Sequence, residues 1–426
     1  MTEITRLVVT AAIFAAMLVL MVVRPRRWNE AWWTALAAAA MLALGLVTPR
    51  EALDSTLAGK NALFFLLSLL ALSLLVGKSG FFDWAAIRCA RMARGDAHSL
   101  YRNAFIAGAI VTAALSLDTT AVMLTPVMLA LVKRLKVPAA PYVVLCAFVA
   151  NVGSLALPIS NLTNLLFADA FRQTFAAFAA RMIVPQLVAL ATTHAVLRWH
   201  FRRNLPDRFD TEALPEPATV VPHATYFLIC LMVLGGVLIG YFLAPLIGFE
   251  PYVFAFAGCM MLAVAGVAAG RVKIHAVREI AWDIFPFVIG LFIAVRGLEN
   301  LGIVGAAGGW LASFSPGSPQ KLLAAAGSTA LASNVMNNLP AALIARSALL
   351  RSHADMGTVL AALIGTNVGP MITPFGSLAT MLVLALARRD GEEVRAGELI
   401  WLGLWAVPLI VLLTTLTLAL SFSLIR

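Results

Sequence analysis

Long apolar runs alternate with short polar stretches along almost the whole chain, and this pattern predicts a protein built of membrane-spanning helices. A helix needs about 20 apolar residues to cross the hydrocarbon core of a bilayer. Ten segments approach or exceed this length, and polar residues interrupt two of them. They lie at 7–23, 31–47, 61–77, 138–170 (interrupted), 180–198, 224–246, 252–270, 280–296, 355–387 (interrupted) and 399–424.

Two further apolar stretches, 103–132 and 321–350, are polar in the middle rather than at the ends. Basic residues flank the first stretch on both sides, Arg102 before it and Lys133 after it, so both of its ends belong on the same membrane face. We expect each stretch to fold back on itself as a re-entrant hairpin. The polar tips of these hairpins are residues 116–120 and 333–338.

A polar segment of the first half of the chain recurs in the second half. NVGSLALPISNLTNLL at 151–166 aligns without gaps onto NVGPMITPFGSLATML at 367–382, and six of the 16 positions are identical. Each copy follows a hairpin tip and interrupts a span, and each half has an odd number of crossings, so the repeat is predicted to be inverted. The expected fold is an all-α polytopic membrane protein with two inverted repeats, each holding five transmembrane helices, one of them broken, and one re-entrant hairpin.

The polar, Pro-rich stretch 199–223 divides the chain into near-equal halves and predicts a cytoplasmic linker. It separates the first repeat, 1–198, from the second, 224–426. Counting crossings from this linker puts both termini outside and makes the two hairpins enter from opposite faces. Residues 78–94 mix aromatic and basic side chains at helical spacing, so we expect them to lie on the inner membrane face.

Composition and charge agree with a membrane protein. The chain is 61% hydrophobic and 12% charged, with a mean hydropathy of +0.92, and a soluble chain of 426 residues would need more charge to cover its surface. The net charge is +10, but most of the 31 Lys and Arg residues lie in short stretches between apolar runs, as in cytoplasmic loops. The lipid bilayer, with its anionic headgroups, is therefore the expected partner of these charges, and nucleic acid is not.

The polar interruptions predict the substrate site. Unwound backbone at membrane depth is tolerated only where it is buried in protein or lines a watery cavity, and paired broken helices are typical of transport sites. We expect the two tips and the two breaks to converge and to offer helix ends, hydroxyls and amides to an anion, a neutral polyhydroxy solute or Na⁺. The candidate substrate-binding residues are Ser116, Thr119, Thr120, Asn151, Ser154, Ser160, Asn161, Asn164, Ser333, Asn334, Asn337, Asn338, Asn367, Thr373, Ser377 and Thr380.

Asp118 is the only ionisable residue in these polar interruptions. An intramembrane carboxylate is a functional candidate by default, so Asp118 is a candidate proton carrier. The alternative is that Asp118 only caps the helix that follows it. Asn and Ser of the second tip could likewise only turn the hairpin and satisfy its helix ends. So little charge argues against a polyvalent substrate that needs Arg or Lys.

Other classes of site find little support. The four cysteines have no CxxC spacing and the six histidines are dispersed, so we predict no disulfide framework, no metal site and no cofactor. A membrane-embedded enzyme would need a cluster of His, Asp or Glu where only one acid is available. A channel is disfavoured because inverted pairs of hairpins and broken helices suit alternating access. The chain has no phosphate-binding loop of its own, so energy must come from an ion gradient or a separate subunit.

Four segments resemble, in order and spacing, the bacterial arsenite/antimonite efflux permeases of the ion transporter superfamily. They are LDTTAVMLTPVMLAL, ANVGSLALPISNLTNLLFAD, SNVMNNLPAALI and GPMITPFGSLATML. GFFDWAA at 80–86 also fits, and the likeness covers nearly the whole chain. The resemblance implies a multi-pass protein of the bacterial inner membrane that exports trivalent arsenic or antimony, largely as the uncharged trihydroxide. It also implies coupling by proton exchange, with or without a cytoplasmic arsenite-stimulated ATPase as partner.

This chain departs from the family pattern at one point that bears on coupling. Many members carry acids where this chain has Asn151 and Asn367, which leaves Asp118 as the main proton-carrier candidate. The alternative within the superfamily is a sodium- or proton-coupled carrier of carboxylates or other anions. Such carriers have paired Ser-Asn-Thr clamps, which Ser333-Asn334-Val335 matches incompletely.

Overall fold

The computed structural model describes residues 2–23, 28–212 and 214–424, and these fold into helices and connecting loops without a β-strand. The predicted all-α class is confirmed. The first ten helices are α1 (Glu3–Val23), α2 (Glu30–Ala43), α3 (Pro49–Ala58), α4 (Lys60–Lys78), α5 (Phe81–Met92), α6 (Ala97–Ala114), α7 (Leu117–Thr119), α8 (Thr125–Arg134), α9 (Ala140–Val152) and α10 (Leu162–Ala170). The others are α11 (Phe175–Phe201), α12 (Ala224–Leu243), α13 (Pro251–Ala268), α14 (Ile284–Asn300), α15 (Ile303–Ala312), α16 (Pro319–Met336), α17 (Asn338–Arg351), α18 (Met356–Val368), α19 (Leu378–Arg389) and α20 (Ala396–Leu424).

Six of the described helices are long and apolar enough to cross a membrane unaided. They are α1, α4, α11, α12, α13 and α20. Helices α14 and α15 reach that length only together, and they bend by 70° between them. The predicted span 31–47 is shorter in the structure: α2 has 14 residues, because the chain turns at Gly45, whose φ of +64° favours glycine.

The two interrupted spans are each a pair of short helices joined by irregular backbone. Helix α9 ends at Val152 and α10 begins at Leu162, while α18 ends at Val368 and α19 begins at Leu378. Each connection contains a proline, Pro158 or Pro374, which has no N–H to continue a helix. We call these connections the first break (153–161) and the second break (369–377).

The two predicted hairpins are helix pairs with a tight interruption. Helix α6 ends at Ala114 and the chain is helical again from Leu117, through a π-helical turn, to Arg134. Helix α6 begins at Ala97, six residues before the predicted start of the hairpin. In the second pair, α16 ends at Met336 and α17 begins at Asn338. The opposite orientation of the two halves stays a prediction.

The first helix of each hairpin packs closely on the broken span of its own half. A Cβ at Gly365 of α18 would lie 2.1 Å from the carbonyl oxygen of Ala326 in α16, so only glycine allows this approach. Thr329 of α16 donates to the carbonyl oxygen of Ala362 across the same contact, at 2.9 Å. In the first half, α6 packs on α9 through Gly108. These contacts fix each hairpin tip beside a break.

The segment between α11 and α12 covers one end of the first half. Because α11 continues to Phe201, this linker is 202–223 rather than 199–223. It lies against the segment that joins α5 and α6: the Phe209 amide donates to the Gly95 carbonyl at 2.9 Å, and Arg91 Nε donates to the Pro215 carbonyl at 3.0 Å. The linker and α5 therefore share one face of the molecule, as expected if both are cytoplasmic.

Candidate functional site

The two broken spans meet at the centre of the molecule. Asn151 Nδ2, at the end of α9, donates to Thr380 Oγ1 of α19 at 3.0 Å. Asn367 Nδ2, at the end of α18, donates to Asn164 Oδ1 of α10 at 2.6 Å. All four side chains are buried. The polar residues that begin the repeat thus join one half of the chain to the other.

Around Asn367 the hydrogen bonds form a closed cluster. Asn367 Oδ1 accepts from Asn161 Nδ2 at 3.1 Å and from Thr163 Oγ1 at 2.7 Å. Asn164 Nδ2 donates to the Ser154 carbonyl at 2.6 Å, and Asn161 Nδ2 also reaches Ser154 Oγ at 3.4 Å. A buried amide needs partners for its oxygen and its nitrogen, and this cluster gives Asn367 Oδ1 two donors and Asn367 Nδ2 one acceptor.

Gln186, inside α11, satisfies the unwound backbone of the first break. Its Oε1 accepts from the amides of Leu155 at 2.7 Å and Ala156 at 3.0 Å, and its Nε2 donates to the Val152 carbonyl at 2.8 Å. Sequence reasoning missed this residue. The signal was a glutamine directly after Pro185 in the otherwise apolar run 182–191, where polar side chains are rare and functional.

Replacing Gln186 by leucine should strongly destabilise the protein. Gln186→Leu leaves two buried amides and one buried carbonyl without partners, so we expect the free energy of unfolding to fall by about 3 kcal/mol or more. Thermal unfolding of the detergent-solubilised protein measures the effect. Gln320→Leu, at an exposed position of α16, is the control, and equal melting temperatures for the two variants would contradict this role for Gln186.

Ser116 caps the return helix of the first hairpin. Its Oγ accepts from the Thr119 amide at 3.1 Å, so Ser116 is the N-cap of α7 and Asp118 lies in the first turn. The interpretation of Asp118 as the helix cap is therefore wrong. The Thr119 hydroxyl also bonds Ser73 Oγ of α4 at 2.6 Å, which holds this turn against α4.

Further hydroxyl groups tie the first hairpin to the first broken span. Thr120 Oγ1 and Thr112 Oγ1 are 2.7 Å apart, across the two arms of the hairpin. Ser160 Oγ, in the first break, donates to the Ala113 carbonyl at 2.9 Å. Ser154 Oγ donates to the Asn151 carbonyl at 2.7 Å. These three predicted site residues have intramolecular partners that hold the tip and the break in place.

The second hairpin tip is bound to the second break in a similar way. Asn334 Nδ2 donates to the Gly369 carbonyl at 2.6 Å, and Asn334 Oδ1 accepts from the Thr373 amide at 2.9 Å. The Asn338 amide donates to the Gly376 carbonyl at 2.8 Å. These contacts satisfy backbone groups that the helix ends and the break leave unpaired.

Asn337 turns the second hairpin. Its φ of 76° and ψ of 156° lie in a region that is otherwise almost reserved for glycine. Its Nδ2 donates to the Phe375 carbonyl at 3.1 Å. Ser333, one helical turn before, donates back to the Thr329 carbonyl at 2.8 Å. The contacts of these two residues agree with the alternative that they turn the hairpin and satisfy its helix ends rather than bind substrate.

A cavity of about 510 Å³ leads from the predicted cytoplasmic loops to the first hairpin tip. Trp28 and Glu279 lie among the residues of those loops that line it, and Asp118 and Thr119 line it from the hairpin tip. No Lys or Arg of the described ranges lines it, whereas four acids do. The acids are Glu30, Asp118, Glu279 and Asp283. Glu279 pairs with Lys78 at 2.6 Å, and the described lining itself adds no basic group that would attract an anion.

A second cavity, of about 40 Å³, lies between the two hairpin tips. We call it the tip cavity. Asp118, Asn161, Asn337 and Asn338 line it, together with Thr163, which sequence reasoning did not select. Its volume suits a few water-sized groups. The tips of both hairpins and the edge of the first break thus meet at one small cavity, in which five polar side chains lie among apolar ones.

Asp118 lines both cavities and stands between them. Its side chain is half-buried, and among the described residues no group donates a hydrogen bond to its carboxylate and no basic side chain pairs with it. Structural carboxylates inside a membrane protein normally have such a partner. Asp118 therefore has the position of a group that binds a mobile ligand, and its carboxylate has unused hydrogen-bonding capacity for one.

The chain matches a protein-family model and several curated proteins over nearly its whole length. The model of the arsenical pump membrane protein, ArsB, matches residues 9–422. The arsenical pump membrane protein of Escherichia coli K12 is 30% identical over 429 residues, which cover 98% of this chain and 100% of that protein. The one from Yersinia enterocolitica is 31% identical over 431 residues, 98% of this chain and 99% of that protein.

A solved structure has the same fold. The Alcanivorax borkumensis YdaH transporter, described with an unusual topology, superposes with a TM-score of 0.61 at 18% sequence identity. The match covers 88% of this chain and 87% of that one. At this identity the likeness concerns the fold alone.

Proposed function

The chain belongs to the arsenical pump membrane protein family, as its motifs predicted, and on that premise we propose that it exports trivalent arsenic and antimony. It is a multi-pass protein of the bacterial inner membrane. The solute is the neutral trihydroxide, which exchanges for protons. One observation carries the proposal: Asp118 is an unpaired carboxylate between a large cavity and a small one, and the other polar side chains that line the small cavity are hydroxyls and amides.

The chemistry of the cavities favours a neutral hydroxyl-bearing solute over an anion. A carboxylate or phosphate substrate would need basic side chains or several free N–H groups to replace its hydration. The described lining of both cavities has acids and no Lys or Arg. A trihydroxide can donate hydrogen bonds to oxygens such as Asn Oδ1 and accept them from hydroxyls. This chemistry disfavours the carboxylate carrier that the wider superfamily would allow.

Asp118 is the proton carrier in this proposal. An uncompensated carboxylate at membrane depth is costly, so the protein changes conformation with a proton bound there or with the solute beside it. The tip cavity is small enough that proton transfer to Asp118 and solute binding next to it influence each other. Export then follows from the inward proton gradient, and a cytoplasmic ATPase is an additional partner rather than a requirement.

Arsenite and antimonite sensitivity of cells tests the proposal. The chain is expressed in bacteria that lack their own pump, with the Escherichia coli relative as positive control and an empty vector as negative control. We expect growth at concentrations of both metalloids that stop the vector control. No protection at matched membrane expression, together with new uptake of succinate or citrate, would overturn the proposal in favour of a carboxylate carrier.

A further inference from the structure

The two breaks share a hydrogen-bond pattern that follows the sequence repeat. Asn151 aligns with Asn367, and Thr380 aligns with Asn164. The bond from Asn151 to Thr380, at 3.0 Å, therefore corresponds to the bond from Asn367 to Asn164, at 2.6 Å. In each half, the first helix of the broken span supplies the donating asparagine near its C-terminus. The helix after the break supplies the residue that accepts the bond from the other half. The contact between the two broken spans thus contains two hydrogen bonds between equivalent positions of the sequence repeat.

The arrangement is closed on the Asn367 side. Asn367 Oδ1 accepts from Asn161 Nδ2 and Thr163 Oγ1, at 3.1 and 2.7 Å. Asn161 Oδ1 in turn accepts from the Thr163 amide at 3.1 Å and so caps α10. Both the oxygen and the nitrogen of the Asn367 amide have partners within the protein, so a ligand that needs the Asn367 oxygen would have to break existing bonds.

The arrangement is open on the Asn151 side. The residues that align with Asn161 and Thr163 are Ser377 and Ala379, which are too short or too apolar to repeat the bonds. Asn151 Oδ1 and Ser377 Oγ are both buried and without a partner in the described ranges. Ser377 is the N-cap residue of α19, yet its hydroxyl does not cap the helix. Unpaired buried polar groups are rare, and such a cluster needs an explanation.

We propose that Asn151 Oδ1, Ser377 Oγ and the N-terminus of α19 form a half-site that binds one hydroxyl group of the transported solute. This inference rests on the proposed function, and it places a substrate contact at the second break. Asn151 Oδ1 is an amide oxygen and can only accept, and the amide nitrogen is already occupied because it donates to Ala147 and Thr380. The first amides of α19 can only donate.

Only a group that both donates and accepts satisfies these partners together. An undissociated hydroxyl does so, as in a neutral trihydroxide of arsenic or antimony. A carboxylate has no hydrogen to give to Asn151 Oδ1, and a metal cation is repelled by the amides and the positive end of the helix dipole. The half-site therefore selects for the protonated, uncharged form of the solute.

The start of α19 forms part of the wall of the two cavities. Leu378, the residue after Ser377, lines both the large cavity and the tip cavity. A rotation of the Leu378 side chain, or a small shift of the start of α19, would connect the half-site with Asp118. The solute then reaches Ser377 from the space in which Asp118 exchanges its proton.

The test introduces the residues found around Asn367 at the equivalent positions beside Asn151. The double variant Ser377→Asn with Ala379→Thr supplies the groups that fill the corresponding positions around Asn367. We expect this variant to fold and to bind arsenous acid at least tenfold more weakly than the wild-type protein, measured by isothermal titration of the detergent-purified full chain. The same pair of changes at exposed positions, Ala312→Thr with Ser313→Asn, should leave the affinity unchanged.

A single substitution provides a second test if the double variant does not fold. Ser377→Ala removes only the hydroxyl, and we expect it to weaken arsenous acid binding about tenfold, as the loss of one buried hydrogen bond does. Unchanged affinity in a variant that folds would overturn the half-site while the proposed function stands. No binding of arsenous acid or antimonite by the wild-type protein would refute the proposed function itself, and the half-site with it.

Discussion

Asp118→Asn should abolish arsenite flux driven by a pH gradient and leave the protein folded. Asparagine has nearly the same shape as aspartate but cannot exchange a proton at neutral pH. Ser116, not Asp118, caps the helix, so the substitution removes no cap. The measurement is arsenite flux in membrane vesicles with an imposed pH gradient, wild type against variant.

Two further variants separate coupling from structure. Asp207→Asn, at an exposed position of the linker, is the matched control and should transport like the wild type. Ser116→Ala removes the actual cap and should cost about 1 kcal/mol of stability. Full gradient-driven flux in Asp118→Asn would contradict the role of Asp118 as proton carrier.

Asn367→Ala should destabilise the protein more than any other single change at the breaks. Its side chain partners Asn161, Thr163 and Asn164, and all of these are buried. Removing it leaves several buried polar groups unpaired, so we expect the free energy of unfolding to fall by about 3 kcal/mol or more. Thermal unfolding in detergent measures the loss.

Asn151→Ala is the matched control, because Asn151 aligns with Asn367 in the repeat. Asn151 Oδ1 has no partner in the described part of the chain, so this variant should lose less stability. It should instead lose affinity for arsenous acid. Equal losses of stability, with unchanged affinity in Asn151→Ala, would show that the two asparagines do not differ in role.

The sequence alone located the helix interruptions of the site well, because their causes are local. Pro158 and Pro374 prevent a continuous helix, and the Asn, Ser and Thr residues beside them offer partners to the freed backbone. Asn337 takes a backbone conformation that few residues other than glycine adopt, which is why the second tip turns there. Such effects can be read from a few neighbouring residues.

The partners of each polar group could not be predicted in the same way. The hydroxyl of Thr119 at the first tip bonds Ser73, which comes from a distant part of the chain. Gln186 bonds three backbone groups that are 30 or more positions away. The difference between Asn151 and Asn367 depends on which side chain of the other half faces each of them. Tertiary packing sets these choices, so a list of polar residues in the breaks does not separate the substrate contacts from the supports.

Arsenite transport by the purified wild-type chain tests the central claim most directly. The protein is reconstituted into liposomes, a pH gradient is imposed, and arsenite and succinate uptake are followed in parallel against protein-free liposomes. We predict that arsenite accumulates against its gradient, that the accumulation stops when an ionophore collapses the pH gradient, and that succinate does not accumulate. Gradient-driven succinate uptake without arsenite uptake would contradict the account.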